Sequence, residues 1–430
     1  MTDISTDVVA ELKTWLAENW DPDLTVREWW TRLGESGWAA PTWPVEWYGK
    51  GLSRPEGVLV SRTIRDFGAL GAPGGLGLLL AGPTIVTHGT DEQKRRYLRD
   101  IVTGAIAWCQ LFSEPGAGSD LAGLGTRAER DGEEFVVNGQ KVWTSGGQVA
   151  DLGMLLARTD PDVPKHQGIS YFAFEMLQPG VEVRPLREMT GRALFNEVFL
   201  TDARVAAEAC IGGIDNGWAV ANTTLMFERA GLGAGGGGES GSAATPGTIR
   251  GDLDRRAGDF LDRRTAGEGG APGGAVGGAE QVIIELARSH GKIADKTVRQ
   301  DLARLHSLTE IGRYTTLRLK GGADIPGAGN LAKLSMSEIL RLQRDLGLRI
   351  LGAQGALHAY TQPGRDALEA ATGDQLAGVM TEMALFSPAP SIYGGTDQVQ
   401  RNIIGERVLG LPKEPNNDRV TAWKDLPKNG

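Results

Sequence analysis

Cysteine and histidine are scarce in this sequence. Among its 430 residues there are two cysteines, Cys109 and Cys210, and five scattered histidines without an HExxH pattern. These numbers exclude a disulfide framework and a multi-cysteine zinc site, and we expect no dedicated metal site. An excess of basic residues is also missing. With 45 Lys and Arg against 54 Asp and Glu, the net charge is −9, which argues against a nucleic-acid-binding surface.

Long apolar runs are missing as well. No stretch approaches the roughly 18 apolar residues that a transmembrane helix needs. The first twenty residues are mixed in charge and lack the apolar core of a signal peptide. Together with the low cysteine content, these absences favour a cytoplasmic protein without a membrane span.

Glycine, in contrast, is abundant. The 62 glycines make up about 14 % of the chain, roughly twice the usual ~7 %. Seventeen of them lie in the insert 231–281, where we expect two flexible linkers, 238–246 and 267–278, around a short amphipathic helix. Residues 231–236 match the GxGxxG pattern, but they follow a helical pattern instead of a strand. We therefore exclude a dinucleotide-binding fingerprint there.

The hydrophobic periodicity divides the chain into three parts. It is helical up to about residue 106, where Val8, Leu12 and Leu16 share one helix face. From residue 107 to 208 it has the period of two that is typical of strands, and beyond 216 it is helical again. We predict an α+β multidomain protein with an N-terminal all-α domain (1–106), a middle antiparallel β domain (107–208) and a C-terminal α-helical domain (209–430) that contains the insert.

Three segments carry the residues from which chemistry can be inferred. In the first, WCQLFSEPGAGSD at 108–120, a strand runs into a Pro-Gly turn whose small residues let another group approach the backbone. Turns of this kind present N–H groups and hydroxyls to a phosphate or to the polar edge of a ring. A tight turn without a ligand is the alternative interpretation.

The second segment, NGQKVWTSG at 138–146, is interpreted as a hairpin turn at Asn138-Gly139 followed by a strand. Trp143 could form one wall of a pocket for a planar cofactor, with Ser145 bonding the cofactor's edge. An ordinary strand with a buried tryptophan is the alternative. The third segment, IYGGTDQVQR at 392–401, opens the last predicted helix, for which Thr396 is a suitable N-cap.

Taken together, the three segments resemble those of the acyl-CoA dehydrogenase family. They occur in the family's order and at its spacing, and the helical, β, helical order resembles the family fold from about residue 10 to 412. Only the insert falls outside it. The resemblance implies bound FAD, an acyl-CoA substrate that is oxidised to the trans-2-enoyl-CoA, and reoxidation by electron-transfer flavoprotein. It also implies a homotetramer, with a hetero-oligomer as the alternative.

The resemblance further implies which residues hold the flavin. The matching positions are Phe112 and Ser113 at the ring, Gly118 and Ser119 near the pyrophosphate and substrate, Trp143 and Ser145 beside the ring, Thr396 and Gln398 at the nucleotide half, and, from a neighbouring copy, Gly352, Gly355 and Arg288. The chain departs from the family's pattern at Arg349, which stands where a glutamine is usual.

The catalytic base is implied by a second departure. Many family members have a catalytic glutamate at the position of Gly394, which has no side chain that could act as a base. A smaller branch, typified by isovaleryl-CoA and long-chain dehydrogenases, carries its glutamate before an arginine on a helix of the C-terminal domain. Glu228-Arg229 matches that pair. The resemblance thus implies Glu228 as the base, Arg229 as the residue that orients the substrate or the helix, and Gly394 and Gly395 as substrate contacts.

Three alternatives stay open at this point. Glu228 could be one charge on a solvated helix face. The chain could be a catalytically silent partner subunit, for which Gln110, Arg349, Gly394 and the insert would be signs of lost contacts. It could also be an acyl-CoA oxidase or a nitroalkane-type oxidase on the same fold.

The absent side chain at Gly394 widens the space beside the α- and β-carbons, so we expect a branched or bulky acyl group.

Overall fold

The computed structural model describes residues 4–233, 251–261 and 276–427. Its N-terminal part contains the helices α1 (Ile4–Asn19), α2 (Val26–Glu35), α3 (Arg54–Phe67), α4 (Gly82–His88) and α5 (Asp91–Val102). Three of these helices begin with a capping box, formed by Thr25 and Glu28, by Ser53 and Glu56, and by Thr90 and Gln93. The boxes pair N–H groups that have no partner within the helix and so fix where each helix starts.

Tryptophans fill the core between these helices. Trp29, Trp30 and Trp38 are among the largest buried side chains, and Leu12 and Leu16 of α1 pack in the same cluster. The indole N–H groups of Trp29 and Trp30 each donate to a backbone carbonyl. Their burial therefore leaves no unpaired donor.

The middle part is a seven-stranded sheet. Its strands are β1 (Trp108–Leu111), β2 (Arg127–Asp131), β3 (Glu134–Ser145), β4 (Leu152–Arg158), β5 (Ile169–Glu175), β6 (Val181–Leu186) and β7 (Phe195–Ala206). They follow the order β1-β4-β2-β3-β7-β6, with β5 paired to β4. Most pairs are antiparallel, but β1 and β4 run parallel. β2 and β4 also meet in one parallel pair, Arg127 with Arg158. The prediction of an antiparallel domain is wrong for these two pairs because other strands intervene along the chain, so no hairpin joins either pair.

Asn138-Gly139 lies within β3, so the hairpin turn predicted there is wrong. The register of β3 against β7 shifts at this point, and Asn138 exchanges two hydrogen bonds with Asp202 on β7. Close packing also requires the glycine, because a Cβ on Gly139 would lie 2.4 Å from the hydroxyl oxygen of Thr126. The turn before β3 is made by Gly132, with φ at 64°.

The C-terminal part is helical, as predicted. α6 (Gly217–Gly233) follows the sheet, and α7 (Val276–Ser289), α8 (Lys296–Lys320), α9 (Ala328–Leu351), α10 (Gln362–Thr372), α11 (Gln375–Phe386) and α12 (Asp397–Ile403) follow the insert. Ile283, Leu346 and Met380 form a core between α7, α9 and α11. α6 packs against α4, β5, α9 and the short π-helix Gly77–Ala81, so it touches all three parts. The predicted fold class is confirmed.

The middle of the insert is docked on the N-terminal part. Residues 251–261 form two 3₁₀ turns, Asp252–Asp254 and Ala257–Phe260, instead of the expected amphipathic helix. The helix prediction is wrong because the backbone of this segment pairs with residues 24–26 in a strand-like manner. The expected linker 238–246 and most of 267–278 lie outside the described residues.

Residues 411–427, here called the returning segment, run back to the sheet. The indole N–H of Trp423 donates to a carbonyl of the loop after the EPGAGSD turn at 3.3 Å. Lys165 forms ion pairs of 2.9 Å with Asp120, the last residue of EPGAGSD, and of 2.6 Å with Asp418 in the returning segment. The returning segment thereby holds the loop in place.

The described residues contain neither a membrane-spanning helix nor a cluster of metal-ligating side chains. None of the helices described above is both long and apolar enough to span a membrane. No group of three or more His, Cys, Asp or Glu side chains in the described part of the chain is arranged to hold a metal ion.

Candidate active site

The EPGAGSD turn after β1 is held by a buried ion pair. Glu114 and Ala117 exchange two backbone hydrogen bonds of 3.1 Å that close the turn. The Glu114 carboxylate accepts a hydrogen bond from Lys141 Nζ at 2.7 Å, and Lys141 is fully buried. Burial acts to raise the pKa of Glu114, but the charge of Lys141 and hydrogen bonds to the carboxylate outweigh it, so the pKa lies below its usual value. The ion pair fixes the turn to β3.

The outer side of this turn is open. Gly118 and Ser119 are exposed, and a Cβ added to Gly118 would meet no atom within 4 Å. A ligand can therefore approach the backbone closely. Phe112 is buried and packs edge-on against Tyr171, with ring centroids 6.0 Å apart. Its side chain supports the turn from inside, while the half-buried Ser113 comes next to it along the chain.

Trp143 is exposed and has a strained backbone. Its φ is 63°, and 57 % of its surface is exposed. The left-handed φ arises at a bulge, where the pairing of β3 with β7 shifts between Lys141 and Thr144. Bulky residues rarely adopt this conformation, and such strain clusters at ligand sites. Phe195 packs edge-on at 5.7 Å, and the half-buried Ser145 ends the strand. The buried-tryptophan alternative is wrong, and Trp143 offers an aromatic face to a planar ligand.

The glycine loop before α12 is fixed by Gln400. Its side-chain amide donates to the carbonyl of Gly394 at 2.7 Å. Gly394 and Gly395 have positive φ values of 62° and 83°, which favour glycine. Thr396 is the N-cap of α12, since its hydroxyl accepts a backbone N–H of the first turn at 3.2 Å. The N-cap interpretation is therefore correct, and Gln398 is exposed on the same turn.

Beneath this loop, buried charges anchor α12 to α9. Asp397 is buried and pairs with Lys333 at 3.1 Å and with Arg341 at 2.9 Å. Burial acts to raise the pKa of Asp397, but the hydrogen bond from Arg341 and those from its neighbours on α9 outweigh it, so the pKa is lowered. The glycine loop is thus tied to a helix of the C-terminal core.

Glu228 lies on the side of α6 that faces the sheet. Thr224, one turn earlier on the same side, is fully buried, and its hydroxyl lies 2.9 Å from that of Thr84 on α4. Glu228 is half-buried, and the side-chain amide of Gln110 on β1 donates to its Oε2 at 3.4 Å. Glu228 is therefore not on a solvated helix face. It lies where α6, the sheet and the N-terminal helices meet.

Comparison with known proteins shows which family has this architecture. The models of the acyl-CoA dehydrogenase N-terminal, middle and C-terminal domains match residues 5–105, 109–203 and 270–409. Acyl-CoA dehydrogenase IpdE1 of Mycobacterium tuberculosis (strain ATCC 25618 / H37Rv) is 35 % identical over 390 residues, which cover 90 % of this chain and 88 % of that relative. The chain belongs to the acyl-CoA dehydrogenase family. It is an oxidoreductase, and its relatives are flavoproteins of lipid metabolism. The family prediction is confirmed.

Two more known proteins are similar to this acyl-CoA dehydrogenase. FadE34 of the same Mycobacterium tuberculosis strain is 42 % identical over 390 residues, which cover 89 % of this chain but 46 % of FadE34. The chain thus spans about half the length of that relative. Among solved structures, the Tcur3481-Tcur3483 steroid ACAD superposes with a TM-score of 0.65 at 26 % identity, covering 96 % of this chain and 99 % of that chain.

The residues expected to act from a neighbouring copy belong to the C-terminal part of this acyl-CoA dehydrogenase, on or just after α7 and α9. Arg288 is exposed in the last turn of α7, Gly352 ends α9 with φ at 58°, and Gly355 follows it. Within the described residues, no hydrogen bond or ion pair joins these three to the EPGAGSD turn. Arg349, where the family usually has glutamine, pairs with Asp301 at 2.5 Å. Arg229 belongs to α6, but its side chain lies outside what the structure describes.

Several residues of this region were not among the predicted site residues, among them Lys141, Gln110 and Gln400. Lys141 has only a weak local signal, as a lysine inside a strand segment next to the apolar Val142 and Trp143. No local signal indicates that Gln110 contacts the proposed base, because Glu228 is 118 residues away along the chain. Long-range contacts of this kind are fixed by the fold and not by the neighbouring residues.

The exposed groups fit the flavin that the family implies. An isoalloxazine ring needs a flat aromatic neighbour, and Trp143 offers one. A pyrophosphate needs backbone N–H groups that it can approach, and the open turn at Gly118 and Ser119 offers them. The donor set therefore agrees with a dinucleotide that carries an aromatic ring.

Proposed function

We propose that this chain oxidises an acyl-CoA thioester to the trans-2-enoyl-CoA with FAD as its cofactor and Glu228 as its base. FAD, when bound, accepts the hydride that leaves the β-carbon. The proposal rests chiefly on the position of Glu228, which is half-buried on α6 and bonded to Gln110, while the loop at Gly394 offers no carboxylate. A carboxylate that is partly withdrawn from water is a stronger base toward a weakly acidic α-proton.

Each residue has a separate role in this mechanism. Glu228 takes the α-proton on a carboxylate oxygen, and Gln110 holds that carboxylate toward β1. Gln400 fixes the peptide unit between Gly394 and Gly395, because it bonds the carbonyl of that unit. Backbone N–H groups of this fixed loop donate to the thioester oxygen and stabilise the charge that develops there. Arg229 orients the substrate or the end of α6.

The flavin contacts divide between two copies of the chain. Within one copy, we assign the ring to Phe112, Ser113, Trp143 and Ser145, the pyrophosphate to Gly118 and Ser119, and the nucleotide half to Thr396 and Gln398. Gly352, Gly355 and Arg288 serve the flavin of a neighbouring copy. Within the described residues, no hydrogen bond or ion pair joins them to the EPGAGSD turn of the same chain, which supports this division. We therefore propose a homotetramer in which each flavin is shared across a dimer interface.

We propose a branched or bulky acyl group as the substrate. The loop position that carries the glutamate in many relatives is Gly394 here, so space is left beside the α- and β-carbons. The similarity to a structure described as a steroid ACAD supports a large acyl group. If short straight-chain thioesters were oxidised fastest in a panel, this part of the proposal would be wrong.

The substitution Glu228→Gln tests the base. It removes the proton acceptor but keeps the size and the hydrogen-bonding capacity of the side chain. We expect FAD and ligand binding to persist, while the rate of anaerobic flavin reduction by substrate falls by about 10²–10⁴-fold or more. Glu369→Gln on the exposed side of α10 is the matched control and leaves the rate unchanged. Near-normal flavin reduction in Glu228→Gln would eliminate Glu228 as the base.

A second candidate is a subunit that needs a different partner chain. The similar structure described by the paired name Tcur3481-Tcur3483 favours it, as do the unusual residues Gln110, Arg349 and Gly394. Purification of the chain alone distinguishes the two. A yellow homo-oligomer supports the complete enzyme, and a colourless chain that takes up flavin only with a co-expressed relative supports the partner subunit.

The electron acceptor is tested separately. We propose electron-transfer flavoprotein, so the reduced enzyme should pass electrons to it or to a dye. Peroxide formed in air at a comparable rate would instead indicate an oxidase.

A further inference from the structure

One face of β1 looks toward the N-terminal helices. Side chains alternate along a strand, and Cys109 and Leu111 pack in the core of the sheet. Trp108 and Gln110 therefore share the opposite face. Trp108 packs edge-on against Tyr97 of α5 at 5.7 Å and belongs to the N-terminal core cluster. Gln110 hydrogen-bonds to the proposed base. Trp108 is two residues before Gln110, so the two positions are only about 7 Å apart along the strand.

The indole N–H of Trp108 has no hydrogen-bond partner within the described part of the chain, although Trp108 is only 6 % exposed. Buried tryptophans normally donate to a partner, as Trp29 and Trp30 do here. A buried donor without an acceptor destabilises the protein unless a water molecule or a ligand accepts its hydrogen bond. The unpaired N–H of Trp108 therefore calls for an acceptor from outside the chain.

A small cavity lies beside this indole. It has a volume of about 20 Å³, enough for one water-sized group. Trp108, Gly75 and Gly77 are among the residues that line it. A Cβ on Gly77 would lie 3.0 Å from Cδ1 of Trp108, the ring atom bonded to Nε1. Gly77 thus packs directly against the five-membered ring of the indole, and a side chain at this position would press on the ring at the wall of the cavity.

The cavity is close to the proposed base. Gly77 and Leu78 in its wall begin the π-helix Gly77–Ala81, against which α6 packs. Glu228 on α6 and Trp108 on β1 therefore lie on two elements that both touch this π-helix. Gln110 hydrogen-bonds to Glu228, and Trp108 follows about 7 Å further along the same face of β1, so we infer that an acyl group whose α-carbon is at Glu228 extends along this face toward the cavity.

We propose that the Trp108 indole N–H binds an oxygen atom on the distal part of the acyl group, so that the enzyme prefers thioesters with a carbonyl or hydroxyl oxygen beyond the β-carbon. This inference rests on the proposed function. In the free enzyme one water molecule accepts the hydrogen bond of this N–H, and the substrate oxygen replaces that water molecule. A substrate without this oxygen displaces the water and leaves the N–H unpaired, which opposes binding.

Two thioesters that differ in one oxygen test the inference. The pair is 3-(4-oxocyclohexyl)propanoyl-CoA and 3-cyclohexylpropanoyl-CoA, and the measurement is kcat/KM for dye reduction by the holoenzyme without oxygen. We expect the holoenzyme to favour the oxo thioester by about 10- to 100-fold. Trp108→Phe removes the donor and brings the ratio close to one, chiefly by raising KM for the oxo thioester. Trp47→Phe, a half-buried tryptophan elsewhere in the N-terminal part, leaves the ratio unchanged.

A second variant covers the case in which Trp108→Phe does not fold. Gly77→Ala keeps the indole but places a methyl group against it, so it should also reduce the preference for the oxo thioester. Equal oxidation of both thioesters by the holoenzyme, or an unchanged ratio in the folded variants, would overturn the inference and leave the proposed function intact. If neither thioester reduced the flavin, the proposed function would fail and the inference with it.

Discussion

Lys141 and Glu114 form an ion pair that is shielded from water, with side-chain exposures of 0 % and 10 %. Lys141 also donates to the carbonyl of Phe112 at 3.2 Å, so a single ammonium group holds both the start of the EPGAGSD turn and its carboxylate. A charge buried in this way is tolerated only while its partner is present. The open side of the turn thus depends on an ion pair that is buried beneath it.

Removal of the lysine should therefore be costly. Lys141→Met keeps most of the volume but leaves the Glu114 carboxylate buried without its partner. We expect the free energy of unfolding in urea to fall by about 3–5 kcal/mol. Arg184→Met is the control, because it breaks an exposed pair with Glu182 and should cost about 1 kcal/mol or less. Equal losses in the two variants would contradict the role assigned to burial.

Gly118 permits a test of ligand approach that is separate from stability. Its backbone is outside the left-handed region, and a Cβ would meet nothing within 4 Å in the chain. Gly118→Ala should therefore leave the unfolding free energy of the apoprotein within about 0.5 kcal/mol. If the flavin pyrophosphate lies against this backbone, the methyl group weakens FAD binding by about 1–3 kcal/mol, measured by titration of the apoprotein.

Gly312 on α8 provides the matched control, since a Cβ there also meets nothing within 4 Å. Gly312→Ala should leave FAD affinity unchanged, while the glycine-to-alanine change inside a helix should raise the free energy of unfolding by up to about 1 kcal/mol. Unaltered FAD binding in Gly118→Ala would remove the pyrophosphate from this turn.

At the scale of elements, the docked part of the insert binds the N-terminal helices from outside. Leu253, Ala257 and Phe260 are buried in the N-terminal core cluster. The N–H of Val26 donates to the carbonyl of Arg255 at 2.8 Å. A second backbone hydrogen bond between the two segments lies on the other side of the isolated β-bridge that joins them. This segment follows α6, the helix that carries Glu228, and so a stretch of the insert is part of the N-terminal core.

Phe260→Ala should release this contact. We expect a loss of about 3–5 kcal/mol, as for other large-to-small changes in a core, and faster amide exchange at Val26 and Ala257. Hydrogen exchange read by mass spectrometry measures both segments. Ile311→Ala, which truncates an exposed side chain on α8, should not change their exchange. Exchange that is already rapid at Val26 and Ala257 in the unaltered protein would contradict the docking.

Elements with local signals were predictable from the sequence. α1 and α5 follow from apolar spacing and, for α5, from the cap at Thr90. The parallel pairing of β1 with β4 and the place of Asn138-Gly139 inside β3 were not predictable. Both depend on partners far along the chain, Leu152 for Trp108 and Asp202 for Asn138. Local turn propensity yields to such pairing when a strand is enclosed on both sides.

The candidate site divides in the same way. The segments around Ser113, Trp143 and Thr396 could be predicted because each motif is contiguous. The contact of Gln110 with Glu228 and the cavity at Trp108 could not, because each needs α6 or the N-terminal helices to be placed against β1. Only the fold brings these elements together.

At the scale of the whole molecule, charged contacts join the parts. Arg192, in the loop between β6 and β7, pairs with Glu382 of α11 at 2.5 Å. Asp397 ties the glycine loop to α9, and Glu114 ties the EPGAGSD turn to β3. The relative positions of the segments that we assign to the flavin therefore depend on carboxylates that must stay ionised.

The pH dependence of stability follows from the lowered pKa values of Glu114 and Asp397. A carboxyl whose pKa is lowered by folding stabilises the protein above its usual pKa, here 4.5 and 3.8, and this contribution is lost as the pH falls through the lowered pKa. We expect the unfolding free energy, followed by tryptophan fluorescence in urea, to fall as the pH drops below about 4.5.

Asp397→Asn should lower stability near neutral pH and weaken this acid dependence, because one of the two carboxyls no longer titrates. Asp66→Asn, which changes an exposed carboxyl on α3, should leave the dependence as it is. A slope that is identical in all three proteins would show that the cited carboxyl does not govern acid stability.

Gly123 and Trp423, which share a hydrogen bond, are 300 residues apart along the chain. A ribosome that adds about 5–20 residues per second needs roughly 15–60 s to pass from one to the other. During that interval the N-terminal helices and the sheet have emerged, but the loop beside the EPGAGSD turn still lacks Trp423 and Asp418. If the flavin binds at this turn as proposed, its uptake should be a late event of biogenesis, completed only after the returning segment leaves the ribosome.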